Sequence, residues 1–220
     1  MRVSKIVSVV DAHTEGQPMR IVTSGFPKIL GETMFDKYSY VDRNLDDMRK
    51  LVLYEPRGSK TMCGAFLVEP TVKDADVGVI FIEQIGPVPM CGHGSIAIAK
   101  LLVETNRVNV TEPITKVKLD TIGGLVNLLV GVENGEVGEI TLRNVKSFSY
   151  LRGVEIKSKR FGDINVDLAY GGTFYAILSA EDVGLKLIPA EAQKMVEYGE
   201  ILRRISNNLG FDASPPRLTL

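Results

Sequence analysis

The segment that most constrains this chain is a turn joined to an apolar helix near its middle. Residues 90–95 have the sequence Met-Cys-Gly-His-Gly-Ser. The mostly apolar residues 96–104 predict a helix, and the glycine- and proline-containing run at 86–89 predicts a turn before it. The chain has only two histidines and two cysteines. One of each stands in this short segment, which is therefore the first candidate for chemistry.

Cys91 is placed where the predicted helix begins. A thiol acts as a base or nucleophile only as thiolate, and a helix N-terminus favours that anion. Gly92 and Gly94 would let a ligand approach the backbone, whose free amides suit a carboxylate, and His93 would hydrogen-bond or tune the thiol. A cysteine before an apolar helix is also often a small buried hydrophobic residue. The spacing alone leaves both interpretations open.

Composition excludes several classes of protein. The 220 residues are 45% hydrophobic and 24% charged, as in ordinary soluble domains. A net charge of -1 gives no reason to expect nucleic acid or an anionic membrane as a partner. We see no signal peptide and no apolar run of about 20 residues, so we expect a cytoplasmic chain. The two cysteines lack zinc-site spacing, and no dinucleotide fingerprint is present. We therefore expect neither a metal nor a cofactor.

Strand-like patterns dominate the rest of the chain and predict an α+β fold. Predicted strands cover residues 3–11, 19–23, 65–69, 77–82, 115–121, 125–132, 136–142, 163–169 and 173–179. Charged and apolar residues at helical spacing predict a helix over 44–52, and residues 190–207 predict another. Asn134-Gly135 predicts a tight hairpin, and the polar run 11–18 predicts a loop. Pro113 and the glycine pair at 123–124 interrupt the pattern, so we expect domains at 1–120 and 121–220.

Five motifs in register carry a resemblance to a known family. Residues 90–95 look like the signature of the proline racemase family, which also contains hydroxyproline epimerases and 3-hydroxyproline dehydratases. The other matching stretches are residues 11–16, 55–58, 144–150 and 171–176. The similarity runs from about residue 4 to about residue 208. Five motifs in the same order and spacing are far more specific than one.

The resemblance implies a diaminopimelate-epimerase-like fold of two pseudo-symmetric domains, each with a mixed sheet around a central helix. It implies cofactor-independent inversion of the α-carbon of proline or a hydroxyproline, with two cysteines on opposite faces of the substrate. By this pattern Cys91 is one of the two acid/base residues, and Gly92 and His93 hold the substrate carboxylate. The expected partners are this small molecule and, as an option, a second copy of the chain in a homodimer.

The chain departs from the family pattern at the second cysteine, expected in an Asp-x-Ser-Pro-Cys-Gly-Thr-Gly motif. Residues 212–216 echo its beginning, but Pro216 stands where the thiol would be. We therefore expect a truncated chain with an incomplete second domain.

Cys63, at a position where the family usually has an aromatic residue, is predicted to be a core residue. His13 is predicted to fix a turn, Arg57 to form a structural ion pair, and Thr173 and Phe174 to pack or to line the cleft.

Three further interpretations compete with an active racemase. The chain would bind a small carboxylate or a partner chain without turnover if truncation has impaired it. It would alternatively be a 3-hydroxyproline dehydratase, because the second catalytic position that would separate racemase, epimerase and dehydratase is missing. A relative of diaminopimelate epimerase is the third alternative, against which the Cys-Gly-His order and the flanking motifs argue.

Overall fold

The computed structural model describes residues 4–207, and the chain divides into two compact units. The first unit ends at Val145 and the second begins at Lys146. Both units combine strands and helices, so the α+β class predicted from the sequence is confirmed. The expectations about residues 208–220, including Pro216, lie outside the described part of the chain.

The first unit is built on one eight-stranded mixed sheet. Its strands lie in the order β1-β2-β3-β4-β6-β7-β8, with β5 paired to β4. The β2–β3 and β4–β6 pairs are parallel and the other pairs are antiparallel. The elements of this unit are β1 Ser8–Thr14, β2 Gln17–Ser24, α1 Met34–Asn44, α2 Asp46–Leu53, β3 Cys63–Val68, β4 Val77–Glu83, β5 Gly86–Val88, α3 Gly92–Glu104, β6 Ile114–Thr121, β7 Gly124–Glu133 and β8 Glu136–Arg143.

Helix α3 is the centre of this unit. It contacts strands from across the sheet, including both edge strands: β1, β2, β3, β6, β7 and β8. A flat sheet does not bring both of its edges to one helix, so the sheet curls around α3. Most of its residues are buried, among them Ala97, Ile98, Leu101 and Leu102, whereas Lys100 and Glu104 lie on an exposed face. The helix therefore has a wide apolar face that needs cover. The mixed sheet around a central helix is confirmed for this unit.

The sheet buries apolar side chains on both faces. Side chains of successive strand residues point to opposite faces, so Ile21 and Phe81 enter the core under α3, whereas Val22, Phe66 and Ile80 enter a second core. Helices α1 and α2 supply the rest of that second core and contact β4. The sheet therefore holds α3 on one face and α1 with α2 on the other.

Helix α1 was not predicted. It begins with a capping box in which the Thr33 hydroxyl accepts a hydrogen bond from the Asp36 N–H and the Asp36 carboxylate accepts one from the Thr33 N–H. Such a box satisfies two backbone donors at a helix start. The helix predicted over 44–52 corresponds to α2, which begins at Asp46 and ends at Leu53.

The second unit contains a three-stranded antiparallel sheet in the described residues. The strands are β9 Phe148–Ser158, β10 Gly162–Tyr170 and β11 Phe174–Ile177, in the order β11-β10-β9. Strand β9 was not predicted. Helix α4, Ala192–Asn207, contacts β9. Its Leu202 lies in a core with Ile156, Ile164 and Val166. The described pairings here are all antiparallel, unlike the mixed sheet expected for this half.

The division between the units lies later than the expected boundary at 120/121. Strand β7 pairs with β6 along its length, and β8 pairs with β7. Both strands therefore complete the first sheet, and the division falls after Val145. Pro113 lies directly before β6, and Gly123 lies in the turn between the paired strands β6 and β7, so neither marks the division between the units.

Two predicted turns have different outcomes. Asn134 and Gly135 have φ angles of 54° and 79° between β7 and β8, so the hairpin is confirmed with positive φ at both central residues, as type I′ turns require. The polar run 11–18 does connect two strands as a hairpin, as predicted, but the loop is shorter than expected, because β1 continues to Thr14 and β2 begins at Gln17. Only Glu15 and Gly16 form the turn there. Among the described helices, none is both long and apolar enough to cross a membrane.

Shortening a side chain of α3 should test how far the unit depends on this helix. Ile98 is 0% exposed, so we expect Ile98→Ala to lower the free energy of unfolding by about 2–5 kcal/mol, and Ile98→Val by about 0.5–1.5 kcal/mol. Urea denaturation followed by circular dichroism measures both. Equal losses for the two variants would contradict a tightly packed environment around α3.

Candidate active site

Cys91 is the N-cap residue of α3. Its backbone is extended, with φ −142° and ψ 115°, and its side chain makes no capping hydrogen bond within the described chain. The residue is 8% exposed. Its Sγ lies 3.3 Å from Nδ1 of His93, and the Gly94 N–H lies close enough to lower the pKa of the thiol. The sequence prediction that Cys91 stands at a helix start is confirmed.

The Cys91 thiol is held in its neutral form. Burial is the largest cause and raises the pKa of Cys91 to about 12. The Gly94 N–H acts in the opposite direction, and the nearby Cys63 and Glu83 raise the pKa further. Burial thus outweighs the help that the helix N-terminus gives to a thiolate. At neutral pH Cys91 is a proton donor in this environment.

Two backbone donors stand beside the thiol. Within residues 4–207, the N–H groups of Gly92 and His93 have no hydrogen-bond acceptor. They belong to the first turn of α3, where helix amides lack intrahelical partners. Gly92 is partly exposed, and a Cβ there would make only ordinary contact with Leu142, at 3.5 Å. The arrangement suits a small carboxylate placed against α3 next to Cys91.

Gly94 has a packing role distinct from that of Gly92. A Cβ on Gly94 would lie 3.0 Å from the side chains of both Met19 and Phe81, and 3.2 Å from the Cys91 Sγ. These distances are shorter than ordinary contacts to a methyl group. The missing side chain lets the first turn of α3 approach strands β2 and β4.

His93 connects the helix start to strand β1. Its carbonyl oxygen accepts a hydrogen bond of 3.0 Å from the Thr14 hydroxyl. Burial lowers the pKa of the His93 imidazole, and a hydrogen bond with the Pro18 backbone opposes this shift. The ring is therefore neutral at pH 7 and stands beside the thiol as a hydrogen-bonding group.

Ser95 was not singled out in the sequence. Its side chain is fully buried, and its hydroxyl donates to the Cys91 carbonyl at 2.8 Å. The Ser95 N–H donates to the same carbonyl at 3.0 Å. Two donors from the helix therefore fix the backbone of Cys91. The only sequence signal for this role is a serine four positions after the cysteine, and that signal is weak.

Cys63 and Glu83 lie near Cys91, at neighbouring ends of β3 and β4. Cys63 is partly exposed and packs against the core under α3, so the predicted core residue lies at the margin of that core. The Gln17 amide donates to its sulfur at 3.8 Å. Burial, followed by the charge of Glu83, raises the pKa of Cys63. Burial also raises the pKa of Glu83.

The other singled-out residues have structural contacts. His13 Nδ1 accepts a hydrogen bond of 3.3 Å from the Gly16 N–H, as a turn-fixing residue should. Arg57 donates from Nε to the Leu51 carbonyl at 2.8 Å, and no ion pair of Arg57 occurs in the described chain, so its structural role comes from a backbone bond. In the second unit, Phe174 packs against aromatic neighbours such as Tyr170.

No group of three or more histidine, cysteine, aspartate or glutamate side chains in residues 4–207 is arranged to hold a metal ion. The chemical groups assembled at the start of α3 are a neutral thiol, two free amides and a neutral imidazole. A protein family model described as proline racemase matches residues 9–216. The chain belongs to this family.

Curated members of the proline racemase family are similar over most of this chain. A 4-hydroxyproline 2-epimerase from Streptosporangium roseum is 46% identical over 90% of this chain and 60% of its own length. A trans-L-3-hydroxyproline dehydratase from Saccoglossus kowalevskii is 43% identical over 80% of this chain and 54% of its own length. The chain therefore spans about 60% of the first of these relatives and about half of the second.

A solved structure agrees with the fold. The crystal structure of a hydroxyproline epimerase from Agrobacterium vitis, with bound trans-4-hydroxy-L-proline, has a TM-score of 0.85 and 31% sequence identity. The match covers 93% of this chain and 62% of that one. The predicted family fold is confirmed.

The two glycines of the first turn should respond differently to a methyl group. We expect Gly94→Ala to lower the free energy of unfolding by about 1–3 kcal/mol, because its Cβ would press on Met19 and Phe81. Gly92→Ala should change it by less than about 1 kcal/mol, since its Cβ has room. Urea denaturation measures both. A larger loss for Gly92→Ala would contradict the packing described above.

Alkylation should report the raised pKa of Cys91. In a Cys63→Ala variant, Cys91 is the only thiol left. We expect its rate of reaction with iodoacetamide to keep rising with pH, without a plateau up to about pH 10, because only the thiolate reacts and its pKa is about 12. The urea-unfolded variant is the control and should reach half of its maximal rate near about pH 8.5. A half-maximal rate near that pH in the folded protein would refute the prediction.

Proposed function

We propose that this chain carries the Cys91 side of a site that inverts the α-carbon of proline or a hydroxyproline without a cofactor. The observation that carries the proposal is the position of a protonated thiol directly beside two unbonded amides, those of Gly92 and His93, at the start of α3. Membership of the proline racemase family supports it. A cytoplasmic location and a homodimer remain predictions.

In this proposal the substrate carboxylate binds the Gly92 and His93 amides. The α-carbon, one bond from the carboxylate, then lies near the Cys91 sulfur. An α-proton beside a carboxylate is very weakly acidic, so the negative charge that builds up on the carboxylate oxygens needs fixed donors. Preorganised amides supply such donors in a site with little water. The dipole of α3 adds to their effect.

Cys91 exchanges one proton with the α-carbon from its own face. When a base on the other face removes the α-proton, the C–H electron pair moves toward the carboxylate and leaves a planar carbanion. The Cys91 S–H bond then breaks, its proton forms the new C–H bond, and a thiolate remains. The reverse reaction begins from that thiolate. The raised pKa of Cys91 matches the proton-donating direction, since a neutral thiol is ready to deliver a proton.

The group on the opposite face is not assigned to a residue of this chain. The 220 residues contain two cysteines, and Cys63 lies on strand β3 in the same unit as Cys91. With one acid/base residue, the chain would exchange an α-proton on one face of the substrate and return the same enantiomer.

Deuterium exchange tests the proposal. We expect the 220-residue chain, incubated with L-proline or trans-4-hydroxy-L-proline in D₂O under reducing conditions, to incorporate deuterium at the α-carbon with little inversion. Proton NMR measures exchange, and chiral chromatography measures inversion. Cys91→Ser should lower exchange at least about 100-fold, the usual scale for an acid/base group. Cys63→Ala is the matched control and should retain exchange.

Exchange that survives in Cys91→Ser would refute the assigned role. A folded chain that neither exchanges nor binds these substrates would refute the proposed function. Binding without exchange would favour the alternative of a carboxylate-binding homologue. Calorimetry with pyrrole-2-carboxylate, a flat mimic of the planar carbanion, detects such binding.

Dehydration of 3-hydroxyproline is the second candidate. Elimination of water requires removal of only one α-proton, so one acid/base residue at the α-carbon, such as Cys91, is sufficient for that step. The similarity to a trans-L-3-hydroxyproline dehydratase supports this alternative. Incubation with trans-3-hydroxy-L-proline in the same NMR assay distinguishes it, because elimination consumes the substrate and produces a cyclic imine, whereas exchange removes only the α-proton signal.

A further inference from the structure

We propose that Glu83 binds the positively charged ring nitrogen of the substrate, and this inference rests on the proposed function. It defines the ligand as a zwitterion that carries a cationic amine next to its carboxylate. Glu83 was not singled out by its sequence pattern. Three observations place it at the site: its register in β4, the absence of a partner for its carboxylate, and its effect on the neighbouring thiols.

Strand register places the Glu83 side chain on the face that carries α3. Val79 and Phe81 stand four and two residues before Glu83 and lie in the core under α3. Ile80 and Ile82, which point to the opposite face, lie in the other core. Phe81 reaches the first turn of α3, because its ring edge is 3.0 Å from the position that a Gly94 Cβ would occupy. Glu83 follows about 7 Å further along the strand, at the margin of this face.

The pairing of β4 with β3 indicates the same location for the Glu83 side chain, next to Cys63. Gly64 pairs with Ile82 across β3 and β4, so the residues that continue this antiparallel register are Cys63 and Glu83. The charge of Glu83 is close enough to raise the pKa of both Cys63 and Cys91. The Glu83 carboxyl therefore lies near the two thiols, at the same end of the sheet as the start of α3.

The Glu83 carboxylate has no cationic partner in the described chain. None of the ion pairs in residues 4–207 includes it, and no donor there is bonded to its side-chain oxygens. Arg49, on α2, contacts the residue but not its carboxylate. It donates to the backbone carbonyl of Glu83, and its guanidinium forms an ion pair with Asp46. A partly buried carboxylate without a partner is unfavourable. A bound cation would relieve that cost.

The site then has the charge pattern of an imino acid. Proline carries a carboxylate and a secondary ammonium group on the same α-carbon. Amide donors at the start of α3 suit the carboxylate, and Glu83 suits the ammonium, so the α-carbon between them lies toward Cys91. Neutralising Glu83 also removes one of the charges that disfavour the Cys91 thiolate. A cationic substrate would therefore ease ionisation of the thiol, whereas a simple carboxylate would not.

Calorimetry with two ligands tests the inference. L-proline has a cationic nitrogen, whereas pyrrole-2-carboxylate has the same ring size and carboxylate but a neutral nitrogen. We expect Glu83→Gln to weaken binding of L-proline at least about tenfold, as for loss of a charged hydrogen bond, and to change binding of pyrrole-2-carboxylate less than about threefold. Glu83→Asp keeps the charge and should restore part of the L-proline affinity. Glu104→Gln, at the far end of α3, is the matched control.

The outcomes separate the two proposals. Wild-type protein that binds neither ligand would overturn the proposed function, and the role of Glu83 with it. Wild-type protein that binds both, with L-proline affinity unchanged in Glu83→Gln or with both ligands weakened equally, would overturn only the role of Glu83. If Glu83→Gln does not fold by circular dichroism, Glu83→Asp decides. A preserved L-proline affinity, with pyrrole-2-carboxylate unaffected, supports the inference, and loss of both refutes it.

A readout without ligand adds a second check. Glu83→Gln removes a negative charge next to Cys91, so in the Cys63→Ala background we expect the alkylation rate of Cys91 at a fixed pH near 9 to increase several-fold. An unchanged rate in the folded variant would show that Glu83 does not face the thiol, and would overturn the inference.

Discussion

Burial of one apolar helix determines the organisation of the first unit. Helix α3 buries most of its residues and leaves Lys100 and Glu104 exposed, and a helix with so wide an apolar face is stable in water only when other elements cover that face. A single sheet does this by curling, so that its two edge strands both reach the helix. The far face of that sheet then needs its own cover, which α1 and α2 provide. The order of layers follows from the composition of one helix.

The same burial explains the electrostatics of the site. A helix start that is enclosed by sheet cannot be wetted freely, so the thiol there experiences more desolvation than help from the helix dipole. The neighbouring acidic groups increase the effect. Free amides beside a neutral thiol are an arrangement that suits an anionic ligand.

Local patterns predicted the parts of the fold that local forces determine. Strands β6, β7 and β8 alternate clearly and are joined by an Asn-Gly turn, and their predicted bounds agree closely with the structure. Helix α1 was missed because it contains few apolar residues at helical spacing. Its start is marked instead by the capping box between Thr33 and Asp36. The polar residues of β1 suggested a loop because an edge strand exposes one face. The unit boundary depends on pairing between distant strands, which no local signal shows.

The site was predictable only where its residues are adjacent in sequence. Cys91, Gly92 and His93 were recognised because they form one continuous motif at a helix start. Glu83 reaches the thiol through strand register, and Ser95 acts through a buried hydrogen bond, so neither position has a pattern of its own. Cys63 was expected in the core because most cysteines are buried, but it lies at the end of its strand and remains partly exposed.

The two hydrogen bonds from Ser95 to the Cys91 carbonyl have a consequence for evolution and engineering. Because they join the residue that bears the thiol to the helix itself, the sulfur moves with α3 as one rigid body. The position of α3 is in turn set by contacts such as those of Met19 and Phe81 beneath Gly94. Substitutions deep in the core, remote from any ligand, would therefore displace the reactive atom. The environment of the sulfur can therefore be changed by engineering these core positions without altering the motif.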